Sequence, residues 1–388
     1  MEIKNYTTSF KNISDTTFKR KVEYFKHNLE AQDKAEMIKV LDTVFLTTGA
    51  ITKQFEQQFA QYTGTRHAVG VMSCTHALEL CLRYFGIGDG DEVITTPMSY
   101  VATANAIECV GAKPVFVDVE WETANIDATK IEAAITKKTK ALLPVHLYGQ
   151  MCNMKMIKEI ADKYNLKIIE DAAHCIEGEY EGKKIGAFSD AACVSFYATK
   201  NITSGEGGAI VTNSEDMYQW LIAARSHGIS SSAADRYTKK YQHYDMEFLG
   251  MKCNMSNMQA SLLIHQLERI DALHACRKKL FEHYEQSLSL FEQPKFVSGS
   301  KHAYHVYSIW VEKRDQALEY LYDNGIGAAV HYRPAHLMSY YKIKYGYKKG
   351  DFPVAEYIGD TTVSLPLYPL LLEEEVSYVC DALLKRLL

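Results

Sequence analysis

The chain has 388 residues, of which 47% are hydrophobic and 23% charged, enough for one large core and a smaller second one. Its 43 basic and 48 acidic side chains leave a formal net charge of −5, which excludes a globally basic nucleic-acid or anionic-membrane binder. No run approaches the roughly 20 apolar residues of a membrane span, and "MEIKNYTTSFKNISDTTFKRKVEYF" lacks a secretory h-region; a cytoplasmic protein with no membrane or nucleic-acid partner is expected.

From about Phe55, helical and strand patterns alternate. "HALELCLRYFGIGDGD" predicts an amphipathic helix closed by glycine, and "EVITTP" a short strand stopped by Pro97. "YVATANAIECVGA" then reads as a helix, "KPVFVDV" as a strand, "TKIEAAITKKT" as a helix and "KALLPVHLYG" as a strand. "MKMIKEIADKYN" and "LKIIEDAAH" repeat the pair. Such alternation predicts an α/β fold with a mainly parallel sheet covered by helices. "AACVSFYA" and "GAIVTN" predict neighbouring strands joined through a turn at Lys200.

After about Gly250 the rhythm changes. "MSNMQASLLIHQLERIDALHACRKKLFEHYEQSL" is one long helical pattern with room for a bend. "AYHVYSIWVE", "ALEYLYDNGI", "GAAVHYRP" and a last helix from about Glu373 predict a small α+β layer. The expected division is residues 1–250, an N-terminal segment and large domain, and residues 251–388, the long helix and a small C-terminal domain. The nine cysteines are scattered and form no C-x-x-C, so reduced thiols are expected and no metal site.

The stretch "SFYATKNITSGEGG" sets Lys200 between an apolar strand and a glycine-rich turn. Most lysines are solvated surface charges. Here the stem is expected to be packed, and desolvation disfavours the ammonium form, which suits a Schiff-base lysine. Pyridoxal phosphate would also need a carboxylate for its ring nitrogen. "LKIIEDAAH" supplies Glu170 and Asp171 at a strand end, where parallel sheets bind ligands; either acid could instead cap the next helix. "VGVMSCTHALEL" places Ser73, Cys74 and Thr75 at a helix start, which serves both capping and phosphate binding. Tyr100, after a strand, could stack on a flat ring. In "HYRPAH", His331 and His336 have poor metal-ligand spacing; substrate contact or simple structure fits better.

Together "GTRHAVGVMSCTHAL", "GDEVITTPMSYVATANAI", "GAKPVFVDV", "IIEDAAHCIEG", "SFYATKNITSGEGGAIVTN", "FLGMKCNMSNMQASLLIHQLERID", "HYRPAH" and "SLPLYP" resemble the DegT/StrS sugar-nucleotide aminotransferases. The resemblance covers nearly the whole chain. It implies the pyridoxal-phosphate fold type I, like aspartate aminotransferase, and amination of a nucleotide-linked keto-sugar, with glutamate as donor. "MKCNMSN" and "HYRPAH" look most like the branch that makes UDP-4-amino-4-deoxy-arabinose, although that branch carries tryptophan at Tyr100 and histidine at Tyr197.

Position by position, the resemblance implies that Lys200 bonds the cofactor and Asp171 pairs with its ring nitrogen. His174 lies near the ring hydroxyl. Cys74, Thr75 and Ser195 hold the phosphate, and Tyr100 stacks. Asn254 would reach the phosphate of the other subunit, which implies a homodimer with shared sites. Substrate contacts are expected from Tyr197, Arg225, His227, Arg236, His331, Arg333 and His336, with a solvated basic loop as the rival reading of Arg225, His227 and Arg236. A sugar dehydratase of the same fold would carry histidine at Lys200. A non-catalytic regulator would be expected to have lost Lys200 or Asp171.

Overall fold

The computed structural model describes residues 21–229 and 243–387. Seven strands build the central sheet: β1 (His67–Val71), β2 (Glu92–Thr95), β3 (Lys113–Phe116), β4 (Thr139–Leu142), β5 (Lys167–Asp171), and, after the small ribbon strands β6 (Glu179–Tyr180) and β7 (Lys183–Lys184), β8 (Ala191–Ser195) and β9 (Gly208–Thr212). Their order is β1-β9-β8-β5-β4-β2-β3. Only β9 runs against the others: it pairs antiparallel with β1 and β8, while the remaining pairs are parallel. The α/β architecture with a mainly parallel sheet is therefore present, and the strands flanking Lys200 are neighbours.

The strands read as continuous apolar runs because both faces are covered. Ile168, Ala192, Val194 and Val211 face one core with Phe55, Phe59 and Phe196. Ile169, Ala191, Cys193 and Ile210 face another with Leu78, Leu82 and Leu221. With one exception the strands share a direction, so the carboxyl ends of β1, β2, β4, β5 and β8 lie along one edge. That edge carries the site.

Three expectations change. "TKIEAAITKKT" keeps only the short helix Ala128–Ile131 and one 3-10 turn, because Thr136 leaves the helical path to bond Thr139 and Glu92. The long helical pattern is broken at Arg269 into Asn257–Glu268 and Ile270–Ser287. Arg269 bonds Asp33 and the Asn28 carbonyl there. The first helix packs against the helices Ala31–Leu41 and Ala50–Thr63, with Leu263 and Ile264 in the core of Phe55 and Phe59. The second ends in a separate core with Val22, Tyr307, Leu321, Val363 and Leu383. That core covers β11 (Tyr307–Trp310) and β12 (Thr362–Leu365), an antiparallel pair; β10 (Ser300–Lys301) extends the ribbon of β6 and β7. "GAAVHYRP" contributes one bridge, Ala329 to Ser364, rather than a strand. Among the described residues, no helix is long and apolar enough to cross a membrane.

Candidate active site

A cavity of about 520 Å3 opens at the carboxyl edge of the sheet. Lys200, Asp171, His174, Ser195, Cys74, Thr75, Tyr100, Tyr197 and His331 all line it. β8 delivers Ser195 and then turns back towards β9. Lys200 closes that turn, its amide bonded to the Tyr197 carbonyl at 2.9 Å. Gly205 takes a left-handed φ of 81°, which favours glycine. A Cβ on Gly208 would lie 2.6 Å from the Cys74 nitrogen, so glycine lets β9 pass against the start of the helix Cys74–Tyr84.

The Lys200 side chain is half-buried in the cavity floor. Desolvation lowers its pKa to about 8, against the opposing pull of Asp171 and Cys74. Asp171 ends β5 and is buried. Its Oδ2 accepts from the Thr103 hydroxyl at 2.7 Å and its Oδ1 from the Ala173 amide at 3.1 Å. Ser73 caps the helix Cys74–Tyr84, accepting from the His76 amide at 3.2 Å. The Cys74 and Thr75 amides in that first turn have no intrahelical acceptor, and a helix N-terminus attracts anions. The Cys74 thiol is buried, which pushes its pKa up, so its side chain is no anion.

An amine, a carboxylate and a helix N-terminus thus share one cavity, each on a different strand end. The model of the DegT/DnrJ/EryC1/StrS aminotransferase family matches residues 27–384. The chain belongs to that family. It is 40% identical over 89% of its length to the spore coat polysaccharide biosynthesis protein SpsC of Bacillus subtilis, 92% of which is covered. It is 35% identical to the GDP-perosamine synthase of Caulobacter vibrioides, covering 92% of this chain and 95% of that one. Among solved structures, S. venezuelae DesV with a ketimine intermediate matches with a TM-score of 0.86 and 35% identity, over 92% of this chain and 95% of that one. The family is established; these relatives lend no support to the aminoarabinose branch. The protein is a transaminase of the DegT/DnrJ/EryC1/StrS family and its cofactor is pyridoxal phosphate.

The residues present fit that cofactor. The half-desolvated amine of Lys200 suits an aldehyde, buried Asp171 suits a cationic ring nitrogen, and the helix start with Ser195 suits a phosphate. His174 borders the same cavity, its Nε2 3.0 Å from the Tyr332 hydroxyl. Burial, reinforced by Lys200 and His331, holds the His174 imidazole well below its ordinary pKa. Tyr100 is 62% exposed at the mouth, its ring 6.0 Å from that of Tyr332. Burial first, then Lys200, drives the His331 pKa down to about 3.

Family members are expected to contact substrate through several residues that this fold does not bring to the cavity. Arg225 is a correction: it is 5% exposed and bonds Glu56 and the Gly70 carbonyl beneath β1. Its guanidinium is committed there. His336 is a second correction, fully buried with its Nε2 3.0 Å from Glu356. Arg333 is exposed and reaches the Leu337 carbonyl, and His227 is exposed. Neither lines the cavity. Arg236 lies outside the described residues. Asn254 bridges to Val71 but turns its side chain to Thr48 and Lys252, away from the cavity of its own chain.

Thr103, Tyr24, Phe25, His305 and Tyr332 also line the cavity, although the sequence pattern singled out none of them. Thr103 lies in the first turn of the helix Ala102–Cys109, just after Tyr100. Tyr24 is brought in from far away in the chain. Val22 pairs with Ile326, and the Tyr24 ring stacks on His331 with centroids 5.9 Å apart.

Proposed function

We propose that this aminotransferase converts a nucleotide-linked 4-keto sugar to the 4-amino sugar, UDP-linked, with glutamate as donor, for surface polysaccharide, lipopolysaccharide or glycan synthesis. The observation that carries the reading is the pairing of Lys200 and Asp171 across one cavity behind a helix N-terminus. It works as a cytoplasmic homodimer whose sites are shared.

Pyridoxal phosphate, when bound, supplies an electron sink for the carbanion formed at the donor Cα. Asp171 would hold the proton on the ring nitrogen, and Thr103 fixes that carboxylate. Lys200 would hold the cofactor, and its free amine would take the proton from the donor Cα and carry it as an ammonium. Its lowered pKa lets a fraction of the amine serve as base near neutral pH. Cys74 and Thr75 amides with Ser195 would anchor the phosphate, Tyr100 would stack and His174 would lie near the ring hydroxyl. Tyr197 and His331 face the sugar.

The test is an assay of purified enzyme against UDP-, dTDP- and GDP-linked 4-keto sugars with glutamate. Turnover of the UDP substrate above the others is expected. Lys200→Ala should abolish it, and Asp171→Asn should lower it by orders of magnitude, roughly a few kcal/mol of barrier. A preference for GDP or for a 3-keto sugar overturns the substrate and leaves the reaction class. Normal turnover by Lys200→Ala without added amine overturns the role of Lys200.

A further inference from the structure

Glu170 precedes Asp171 in β5, and the two side chains leave the strand on opposite faces. Asp171 lines the cavity; Glu170 does not, and is fully buried. It is neither a second partner for a ring nitrogen nor a helix cap. Its Oε1 accepts from the Gly186 amide at 3.0 Å and from the Ser189 hydroxyl. Its Oε2 lies 2.7 Å from Nε2 of His146, which is also fully buried. His146 Nδ1 lies 3.2 Å from the Cys152 amide nitrogen. A backbone N–H can only donate, so Nδ1 is bare and the ring hydrogen sits on Nε2, aimed at Glu170. Each polar side-chain atom of this buried pair therefore has a partner.

The main chain of His146 meets Asp171. The β4–β5 ladder stops at Leu142, opposite Ile168. Beyond it the His146 amide donates to the Asp171 carbonyl at 3.0 Å, and the Asp171 amide donates to the Pro144 carbonyl at 2.9 Å. Val145 bridges to Asp171 between them. Residues 144–146 thus hold both backbone groups of Asp171 from the β4 side. The His146 ring ties that segment to Glu170 on one side and to Cys152 on the other. Thr103 and the Ala173 amide fix the Asp171 carboxylate; His146 and Glu170 fix the backbone from which it hangs.

On the reading of Asp171 as partner of the ring nitrogen, we propose that His146 and Glu170 are positioning residues for it: the buried pair, bonded from Nε2 to Oε2, locks residues 144–146 against the end of β5 and so aims the Asp171 carboxylate at that nitrogen. No proton leaves either residue. A site must be held to within about 0.5 Å of its productive geometry, and a backbone freed on the β4 side no longer meets that limit. The effect is confined to the ring nitrogen, because the groups suited to the phosphate stand on the helix after β1 and at the end of β8.

The experiment compares pyridoxal phosphate with its 1-deaza analogue, in which C–H replaces the ring nitrogen. Equilibrium dialysis measures the affinity for each. The analogue lacks the charged hydrogen bond, so wild type should favour pyridoxal phosphate roughly tenfold or more, and Asp171→Asn should abolish that preference. His146→Leu and Glu170→Gln should each cut the preference at least about threefold, with affinity for the analogue held within about twofold and kcat lowered roughly tenfold, as for lost orientation. His146→Gln carries a donor and an acceptor spaced like the two ring nitrogens and should keep the preference. The 15N imidazole spectrum of wild type, with His146 assigned through His146→Gln, should place the ring hydrogen on Nε2, and requires no destabilised variant. A native His146 with its hydrogen on Nδ1 overturns the proposal. So do folded His146→Leu and Glu170→Gln proteins that melt earlier with the preference unchanged, because the pair would then only hold the fold together. A wild type without any preference overturns the role of Asp171 itself, and the role of the pair with it.

Discussion

Thr103 donates its hydroxyl hydrogen to Asp171 Oδ2 at 2.7 Å, and Ser99 stands 2.7 Å behind Thr103. The pair joins the helix Ala102–Cys109 to the end of β5 at the buried carboxylate of the cavity. Thr103→Val keeps the shape and removes the donor. A hydrogen bond to a charged group contributes about 1.5–3 kcal/mol, so cofactor affinity should weaken roughly tenfold to a hundredfold. Equilibrium dialysis with pyridoxal phosphate measures it. Unchanged affinity would mean that the Ala173 amide alone aligns Asp171.

The Lys200 amine has a pKa of about 8 because burial disfavours its charge. In the ligand-free protein, its labelling by an amine-reactive reagent should rise through about pH 8 and level off above it, since only the neutral amine reacts. Peptide mass spectrometry follows this site by site. The linkage has a definite sign. Between about 8 in the fold and ~10.4 in the unfolded chain, the unfolded state binds more protons, so this lysine's penalty on stability is full below pH 8 and relieved as pH rises through that window. A labelling midpoint near that of exposed lysines would show that the amine is solvated.

Arg225 and Glu56 form a buried ion pair in which Glu56 also accepts from the Gly70 amide. Removing one partner leaves the other charged and unpaired, at a cost of about 3–5 kcal/mol. Urea denaturation of Arg225→Leu should show that loss, and adding Glu56→Leu should recover part of it. KM for the nucleotide sugar should not change. A folded Arg225→Leu of normal stability and raised KM would return Arg225 to the substrate.

Much of this was legible in the sequence where chemistry and local pattern coincide. Asp171 follows an apolar strand, Lys200 follows another, and Ser73 opens a helix, so each site residue announces its own strand end. Partners brought from afar leave no such mark. Arg269 breaks a helix because it meets Asp33, 236 positions earlier, and nothing in "LERIDALHA" foretells the meeting. His305 and Tyr332 reach the cavity only through packing between distant segments, His305 beside His174 and Tyr332 against Met98, Tyr148 and Val306. Arg225 misled for the opposite reason: in a basic segment it resembles a phosphate ligand, yet the fold buries it under β1.

Asn254 lies beside the end of β1, next to the helix N-terminus that would take the phosphate, but its side chain points to Thr48 and Lys252. Within one chain it completes nothing in the cavity. If a two-fold axis passes here, Asn254 faces the partner's site, and each site needs both chains. Mixed dimers decide this. Lys200→Ala and Asn254→Ala homodimers should each be folded and inactive. In a hybrid, one site combines both substitutions and the other has neither, so random re-pairing should restore about a quarter of wild-type activity. An active monomer, or hybrids without recovery although Asn254→Ala alone is inactive, would show that Asn254 acts on the site of its own chain.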